Sequence, residues 1–170
     1  TNSYATGNVS GGNYTGGLVG ENDGTVSNSH YNINEVSING EHRVTRGGLF
    51  DAQYQDWISN NKALNIEDYS DTLVPAGDHY EISEVQGIKD LLGFAGDEEY
   101  KFSLVEDIDL SGESGLYIPY LSAEFDGNGH TIKDLHLDWS SGSQRGMIGY
   151  LGENGSVKDV GVVDANVSGD

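Results

Sequence analysis

The acidic stretch between residues 107 and 113 has residue types that bind a hard cation. Asp107, Asp109 and Glu113 would supply the carboxylate oxygens that Ca²⁺ prefers. The alternative is structural, because Asp107 and Asp109 alternate with two aliphatic residues, a pattern typical of a strand with one solvated face. The spacing also lacks a glycine where an EF-hand loop has one. Ca²⁺ is therefore the one cofactor that the sequence suggests, and the solvated strand face is the competing interpretation.

A carboxylate and an imidazole stand four residues apart at Asp126 and His130 and could form a general acid–base pair. The intervening Gly-Asn-Gly indicates a tight turn instead, in which Asp and Asn are selected for their backbone conformation. No positioned nucleophile accompanies the pair. His79 is not part of a His-Glu-x-x-His zinc signature, and no two histidines are spaced i, i+4. The sequence therefore predicts no enzyme active site in this chain.

Three asparagines begin the Asn-x-Ser/Thr sequence that accepts N-linked glycans, namely Asn8, Asn13 and Asn166. Asn8 and Asn166 occupy equivalent positions in an internal repeat. A repeat that favours Asn and Ser at a turn would produce the same pattern without glycosylation. Both interpretations stand at this point.

An internal repeat indicates which strands and turns would position these residues. Residues 16–29 (Gly-Gly-Leu-Val-Gly-Glu-Asn-Asp-Gly-Thr-Val-Ser-Asn-Ser) return in altered form at 146–159, and Asn-Val-Ser-Gly occurs at both 8–11 and 166–169. Each copy places a short apolar strand, a glycine turn and a second apolar strand in succession. Strands this short are stable only when stacked rungs pair their backbone groups. Asn at the corners would tolerate left-handed backbone, and its amide can bond from rung to rung.

The recurring strands and turn glycines resemble the GLUG-motif family, the repeat of large bacterial and archaeal surface proteins. The resemblance is strongest over 1–33 and 124–170, and 79–123 is similar to the segment that commonly opens such an array. The stretch 40–80 conforms poorly, and Met147-Ile148-Gly149-Tyr150 replaces Leu-Val-Gly, which leaves the strand intact. The resemblance implies a parallel β-solenoid in an adhesin-like or haemagglutinin-like protein of the cell surface.

The composition narrows the function further. The chain has 170 residues with 28 acidic and 8 basic side chains, a formal net charge of −20, and no cysteine. Such charge opposes phosphate contacts and excludes a nucleic-acid-binding function. No apolar run is long enough to span a bilayer, so no membrane insertion is expected in this segment. Thr1 falls inside a repeat and Asp170 stops where the next strand of the repeat is due, which predicts that the segment belongs to a longer protein.

Two helices are expected where the repeat is interrupted. Apolar residues at i, i+3, i+4 within 51–66 predict a short helix that lies against the strands. Ser83 and Gln86 have the spacing of a capping box, and the apolar stripe that follows ends at Gly93. This second helix would cover the open end of a new stack. The stretch 67–78 between them is predicted to be irregular.

The fold class predicted from these observations is an all-β parallel solenoid, right-handed, with a helical connector and a capping helix. Residues 1–50 would form the last rungs of one solenoid and 51–78 the connector. Residues 79–170 would provide the capping helix and the first rungs of the next solenoid.

The predicted function is that of a structural repeat segment in a large extracellular surface protein. It would act by stacking and surface contact in an adhesin, sheath or filament, and the sequons would make it a glycoprotein. Its expected partners are neighbouring copies or repeats of the same protein, together with surface glycans or host proteins. The alternative is a β-helix enzyme or a carbohydrate-binding module that acts on extracellular glycans. The basic residues are scattered along the chain, which disfavours the enzyme.

Overall fold

The computed structural model describes residues 1–20, 26–138 and 146–168. Within these ranges the chain is largely β, as expected, with two short helices, α1 (Asp51–Ser59) and α2 (Val85–Leu91), and a 3₁₀ turn at Ile66–Tyr69. The strands are β1 (Tyr4–Ala5), β2 (His30–Asn32), β3 (Gly48–Leu49), β4 (Val74–Ala76), β5 (His79–Ile82), β6 (Lys101–Leu104), β7 (Ile108–Asp109), β8 (Glu124–Asp126), β9 (Thr131–Lys133), β10 (His136–Asp138), β11 (Ser156–Lys158), β12 (Gly161–Val163) and β13 (Asn166–Ser168).

These strands form several small sheets with the orders β1-β2-β3, β11-β8-β6-β5-β4, β12-β9-β7 and β10-β13. Every pair is parallel except β4 and β5, which are antiparallel. Parallel neighbours require the chain to return to its starting side between them. Here it returns through the strands of the other sheets, so that β8, β9 and β10 are followed in the same order by β11, β12 and β13.

The pairing has a 30-residue step at several positions of the C-terminal part, whereas Val157 lies beside Phe125 with a separation of 32 residues. Val162 lies beside Ile132, and Val167 lies beside Leu137, in each case 30 residues later in the sequence. Ile148 is bridged to Ile118 with the same 30-residue separation. Because residues one step apart are adjacent, side chains of like type form columns that run across the strands.

Asn and Asp occupy the corners between these strands in left-handed conformation, as the sequence predicted. The residues with positive φ include Asn2, Asn28, Asn128, Asp134, Asp159 and Asp164. The Nδ2 of Asn28 also donates a hydrogen bond to Oδ1 of Asn2 at 2.8 Å. The predicted hydrogen bond between side-chain amides of successive turns is therefore confirmed at this corner.

One glycine marks how closely successive segments approach. A Cβ on Gly127 would lie 2.3 Å from Cα of Val160. No side chain fits at this distance, so the glycine between β8 and β9 is required where the next segment of chain crosses it.

The two strand-rich parts of the chain, residues 1–50 and 79–170, contribute to the same apolar core. Tyr31 and Ile38 from the first part belong to one buried cluster with Phe125 and Ile132 from the second. A smaller cluster of Leu49, Tyr54 and Trp57 joins β3 to α1. The predicted domain boundaries at residues 50 and 78 stay predictions.

The helix α1 packs its buried face against strands β2 and β3. Tyr54 and Trp57 are buried, whereas Ile58, which the predicted spacing places on the same face, is exposed; the helix ends at Ser59, within the predicted range 51–66. The indole Nε1 of Trp57 donates to Asn28 Oδ1 at 2.6 Å, and its ring meets His30 edge-on at 4.9 Å. These contacts hold the helix against β2.

The helix α2 forms where it was predicted, but its predicted capping box is wrong. The N-cap position is Glu84, without a side-chain cap, and Gln86 donates to Asp90 Oδ1 instead. Ile88 and Leu91 are fully buried, so the apolar stripe that predicted the helix is the face that packs on the core.

The predicted irregular stretch 67–78 is also wrong in part, because it contains the strand β4. Pro75 lies in the middle of this strand and obscured it in the sequence, since proline has no N–H to donate. The strand lies at the edge of the five-stranded sheet, where proline is tolerated.

Candidate functional site

The last strands of the chain expose apolar side chains that elsewhere are buried. Six large apolar residues of this region are exposed: Tyr150, Leu151, Val157, Val162, Val163 and Val167. Four of them extend columns whose previous members are buried; the pairs are Leu121 and Leu151, Phe125 and Val157, Ile132 and Val162, and Leu137 and Val167. The earlier member is at most 2% exposed and the later member is 37–46% exposed. We call Leu151, Val157, Val162 and Val167 the C-terminal edge.

The first strand of the chain has a matching free side. In the part of the chain that the structure describes, β1 has one strand neighbour, β2. Ala5 pairs with buried Tyr31, and Val9 is bridged in parallel to buried Ile38. Tyr4, which precedes Ala5 in β1, is 58% exposed. We call β1 together with Val9 the N-terminal edge.

Lysines bind carboxylates of neighbouring strands on the outer surface. Lys158 Nζ lies 2.8 Å from Glu124 Oε1 and 3.3 Å from Asp126 Oδ2 on the adjacent strand. Hydrogen bonding to Glu124 and then Asp126 raises the pKa of Lys158. Lys101 pairs in the same way with Asp78 at 2.7 Å. Lys133 pairs in the same way with Asp107. These three of the eight basic residues therefore join neighbouring strands and do not line a common site.

The three predicted calcium ligands are each held by a different partner. Asp107 lies 2.8 Å from Lys133 Nζ and accepts the backbone N–H of Thr131, which together hold its pKa well below its usual range. Asp109 accepts the N–H of Ser111, which lowers its pKa. Glu113 bonds Lys89 at 2.7 Å. Among the described residues, no group of three Asp, Glu or His side chains is arranged to hold a metal ion. Calcium binding is not supported by these contacts and stays an untested prediction.

The candidate acid–base pair proves to be a turn, which confirms the structural interpretation. Asp126 Oδ1 accepts the N–H of Asn128 at 2.8 Å, and Asn128 and Gly129 both have positive φ. The carboxylate nearest His130 is Asp107, with Nδ1 and Oδ1 3.6 Å apart. Asp126 instead faces Lys158.

The three sequon asparagines, Asn8, Asn13 and Asn166, are all exposed. Asn8 Oδ1 accepts the backbone N–H of Ser37 at 3.1 Å, so this side chain already bonds to the next strand segment. Exposure is what a glycan acceptor requires, and glycosylation itself stays a prediction.

A cleft of about 650 Å³ lies between the two strand-rich parts. Its wall includes Arg46, whose guanidinium carbon stands 3.6 Å from the centre of the Tyr120 ring. The other partner of Tyr120 is Tyr150, with ring centres 5.8 Å apart and planes at 9°. Tyr150 is 51% exposed, so the residue stacked on Tyr120 is open to solvent.

Charged and polar groups complete the cleft. Asp97 and Glu98 line it together with Arg46, and Glu98 accepts a hydrogen bond from Asn154 Nδ2. Burial lowers the pKa of His30 to about 4, so its imidazole is neutral at neutral pH. An aromatic face beside a guanidinium and carboxylates can bind a polar ligand by stacking and hydrogen bonding.

Sequence reasoning missed this cleft because its walls come from distant segments. Arg46 precedes Tyr120 by more than seventy residues, and nothing local relates them. The one available signal was the 30-residue separation of Tyr120 and Tyr150, which equals the step of the strands.

The chain is similar to halomucin of Haloquadratum walsbyi, with 29% identity over 102 residues. The match covers 52% of this chain and 1% of that protein, so the chain spans a very small part of a long relative. No family model matches the chain, and the resemblance to the GLUG-motif family is therefore not confirmed. No solved structure matches it either. None of the helices in the described ranges is long and apolar enough to cross a membrane.

Proposed function

We propose that this chain is a structural repeat segment of a large extracellular surface protein. Its successive turns stack as a parallel, right-handed β-solenoid, and the segment serves as part of an adhesin, sheath or filament. The observation that carries the proposal is the set of parallel columns, in which Ile132 and Leu137 are buried and their partners on the next turn, Val162 and Val167, are exposed. Such columns let a protein grow in one direction by adding turns, which is the property a stalk or filament needs.

The surface chemistry supports the same function. Cross-strand pairs such as Lys158 with Glu124 fasten one turn to the next. The remaining acidic surface, with a formal net charge of −20 for the chain, keeps it hydrated and soluble in a saline medium. The similarity to halomucin supports an extracellular setting.

Immunogold electron microscopy on native cells tests this function. Antibodies raised against residues 1–170 should label structures outside the cell envelope. Pre-immune serum and antibody pre-absorbed with the purified chain are the controls. Label confined to the cell interior would overturn the proposal.

A second candidate function is glycan binding in the cleft. The Tyr120 ring, which lines the cleft together with Arg46, Asp97 and Glu98 and stacks on exposed Tyr150, favours it, since sugars stack on aromatic rings and hydrogen-bond to charged groups. Binding of the 170-residue chain to an array of extracellular glycans tests it. Tyr150→Ala should abolish any binding that uses this stack, whereas Tyr14→Ala, at another exposed tyrosine, should not. Binding that Tyr150→Ala leaves intact would place the glycan elsewhere.

A further inference from the structure

We propose that the cleft between the two strand-rich parts binds an acidic sugar of a glycan. The anionic group of the sugar would accept hydrogen bonds from Arg46, and one of its hydroxyls would donate to His30, since both side chains line the cleft. The anionic group is a carboxylate or a sulfate ester, whose oxygens match a guanidinium. The inference deepens the second candidate function, glycan binding in the cleft, and rests on it, because it names the class of glycan.

The first argument is that Arg46 is a cation without a carboxylate partner in a very acidic chain. The chain has 28 acidic and 8 basic residues. Among the basic residues that the structure describes, the following form ion pairs with carboxylates: Arg43, Lys89, Lys101, Lys133 and Lys158. Of the two described ones that form no ion pair, Lys62 lies over the Trp57 ring at 4.4 Å, whereas Arg46 lines the cleft. Arg46 can therefore pair with an anion from outside the chain.

The second argument is the orientation of the Arg46 guanidinium. Its carbon lies 3.6 Å from the centre of the Tyr120 ring, which is the distance between two stacked planes. The other contacts of Tyr120 fix the ring, because it stacks on Tyr150 and its hydroxyl accepts a hydrogen bond from Ser122 Oγ at 2.9 Å. Stacking uses a face of the guanidinium and leaves the N–H groups in its plane able to donate. Two parallel N–H groups match the two oxygens of a carboxylate, so Arg46 is held ready for an oxyanion.

The third argument is an acceptor without a partner on a buried residue of the same cleft. His30 is 8% exposed, and its Nδ1 lies 3.3 Å from the carbonyl oxygen of Gly47, so Nδ1 carries the ring proton. Burial lowers the pKa of His30 to about 4, and the neutral ring keeps a lone pair on Nε2.

No described group forms a hydrogen bond with this Nε2. The fully buried side-chain atoms without a partner in the described ranges are Gln53 Oε1 and Thr131 Oγ1, so Nε2 of His30 keeps access from the cleft that the residue lines. A sugar hydroxyl would supply the donor that Nε2 lacks.

The pairing of β2 with β3 brings the guanidinium and the imidazole to one wall of the cleft. The two strands are parallel, and the bond from His30 to Gly47 joins the residues that precede the paired positions. Arg46 is the residue before Gly47, so it follows the same segment of chain. A donor of two hydrogen bonds beside a single acceptor suits a ligand with one oxyanion and neighbouring hydroxyls, which is the chemistry of an acidic sugar.

The remaining charges of the cleft limit how acidic the glycan can be. Asp97 and Glu98 line the cleft and are exposed, and Glu98 accepts a hydrogen bond from Asn154. Their repulsion of an anion passes through solvent, where the Debye length falls from about 10 Å at 0.1 M salt to about 3 Å at 1 M. A direct contact with half-buried Arg46 is screened less. With a net charge of −20, the chain disfavours a densely charged polymer and favours one acidic sugar among neutral ones, whose hydroxyls can donate to the two carboxylates.

NMR titration of the 170-residue chain with three oligosaccharides tests the inference, in about 0.5 M NaCl to screen long-range repulsion. The first probe contains one glucuronic acid, the second is the same oligosaccharide after reduction of its carboxyl group to an alcohol, and the third is the reduced form with one sulfate ester. The side-chain Nε–H signals report binding, and since the chain has three arginines, the signal lost in Arg46→Gln identifies Arg46. The wild-type chain should bind at least one acidic probe about tenfold or more tightly than the neutral probe. The stronger of the two acidic probes distinguishes a carboxylate from a sulfate ester.

Variants separate the roles of the two side chains. Arg46→Gln should reduce the preference for the acidic probe to about twofold or less, because no charge-assisted hydrogen bond remains. The matched control is Lys133→Gln, which makes the same charge change at a lysine paired with Asp107 and should keep the full preference. His30→Phe should weaken the acidic and neutral probes alike by about three- to tenfold and leave the preference unchanged. Circular dichroism and the melting temperature establish that each variant is folded. If His30→Phe fails to fold, the ¹⁵N shift of His30 Nε2 in the wild-type chain replaces it and should move when either probe binds.

Four results would overturn the inference. Equal affinity for the acidic and neutral probes would leave glycan binding in the cleft standing without a role for the anionic group. A preference for the acidic probe that Arg46→Gln retains would place the acidic sugar elsewhere. Acetate that shifts the Arg46 signal as strongly as the acidic probes at equal concentration would mean an adventitious ion only. The fourth result is no binding of the acidic probes up to about 10 mM. The glycan array then decides separately whether the cleft binds another glycan, so the two failures are distinguishable.

Discussion

Val162 lies beside Ile132 in parallel register, yet Ile132 is fully buried and Val162 is 42% exposed. The two residues occupy equivalent positions on successive turns. Ile132, in β9, has a described strand on each side, whereas Val162, in β12, has one on the β9 side only. Comparing the two residues therefore shows how much a side chain contributes to the free energy of unfolding in the core and at the end of the same column.

Truncating the two residues should therefore have unequal effects. Ile132→Ala removes buried atoms and leaves a cavity, and should lower the free energy of unfolding by about 2–5 kcal/mol. Val162→Ala should lower it by no more than about 0.5–1 kcal/mol, because its side chain is already solvated. Urea denaturation at a concentration where the chain is monomeric measures both. Equal losses would mean that the last turn is covered in solution.

The neutral, buried imidazole of His30 should make the chain sensitive to mild acid. Burial lowers its pKa from 6.5 to about 4, so the unfolded chain binds a proton at this residue at a higher pH than the folded chain does. Stability should be lost as pH falls from 6.5 toward 4, by up to about 3 kcal/mol. Urea denaturation at pH 7 and pH 4.5 measures the loss.

His30→Gln should remove most of this pH dependence, whereas His136→Gln, at an exposed histidine, should keep it. The three carboxylates with a lowered pKa, Asp78, Asp107 and Asp109, contribute stability that is lost mainly as pH falls below their ordinary pKa of 3.8, under the window of His30. A pH dependence unchanged in His30→Gln would contradict this account of His30.

The glycine at the crossing of two segments should be intolerant of any side chain. Gly127→Ala would place a Cβ 2.3 Å from Val160 Cα and should cost about 2 kcal/mol or more. The matched control is Gly112→Ala, where a Cβ has no atom within 4 Å and φ is not positive. Thermal unfolding of both variants measures the difference. If Gly127→Ala melts like the control, the segments do not approach as closely as described.

Calcium should have no effect on stability if the acidic residues are held as the structure places them. Asp107 forms an ion pair with Lys133, Asp109 accepts a hydrogen bond from the N–H of Ser111, and Glu113 accepts one from Lys89. The melting temperature should be the same in EDTA and in excess CaCl₂, with MgCl₂ at equal ionic strength as the control. A rise specific to calcium would restore the predicted site.

The sequence predicted the regular parts of the fold well, because their determinants are local and repeated. The left-handed Asn corners, the Asp126 to His130 turn and the apolar stripe of α2 all follow from neighbouring residues. The strand β4 was missed because Pro75 indicates a break, and only its position at a sheet edge makes the proline acceptable.

Long-range relationships could not be predicted in the same way. The contact of Arg46 with Tyr120 depends on how the two strand-rich parts meet, which no repeat encodes. The exposure of Val162 also has no local signal, since its sequence reads as a core strand. It is exposed because, among the described residues, no strand lies beside β12 on the side away from β9.

Parallel stacking in register is the central claim, and an engineered disulfide tests it most directly. Asp138 and Ser168 are exposed partners on β10 and β13, with Ser168 Oγ 2.9 Å from Asp138 Oδ1, and the chain has no native cysteine. Parallel neighbours stand about 4.8 Å apart, within reach of a disulfide. Asp138→Cys with Ser168→Cys should therefore oxidise to an intramolecular bond. Asp138→Cys with Asn166→Cys, shifted by two residues, should stay reduced under the same conditions. Equal oxidation of the two pairs, or a bond only in the shifted pair, would contradict the register.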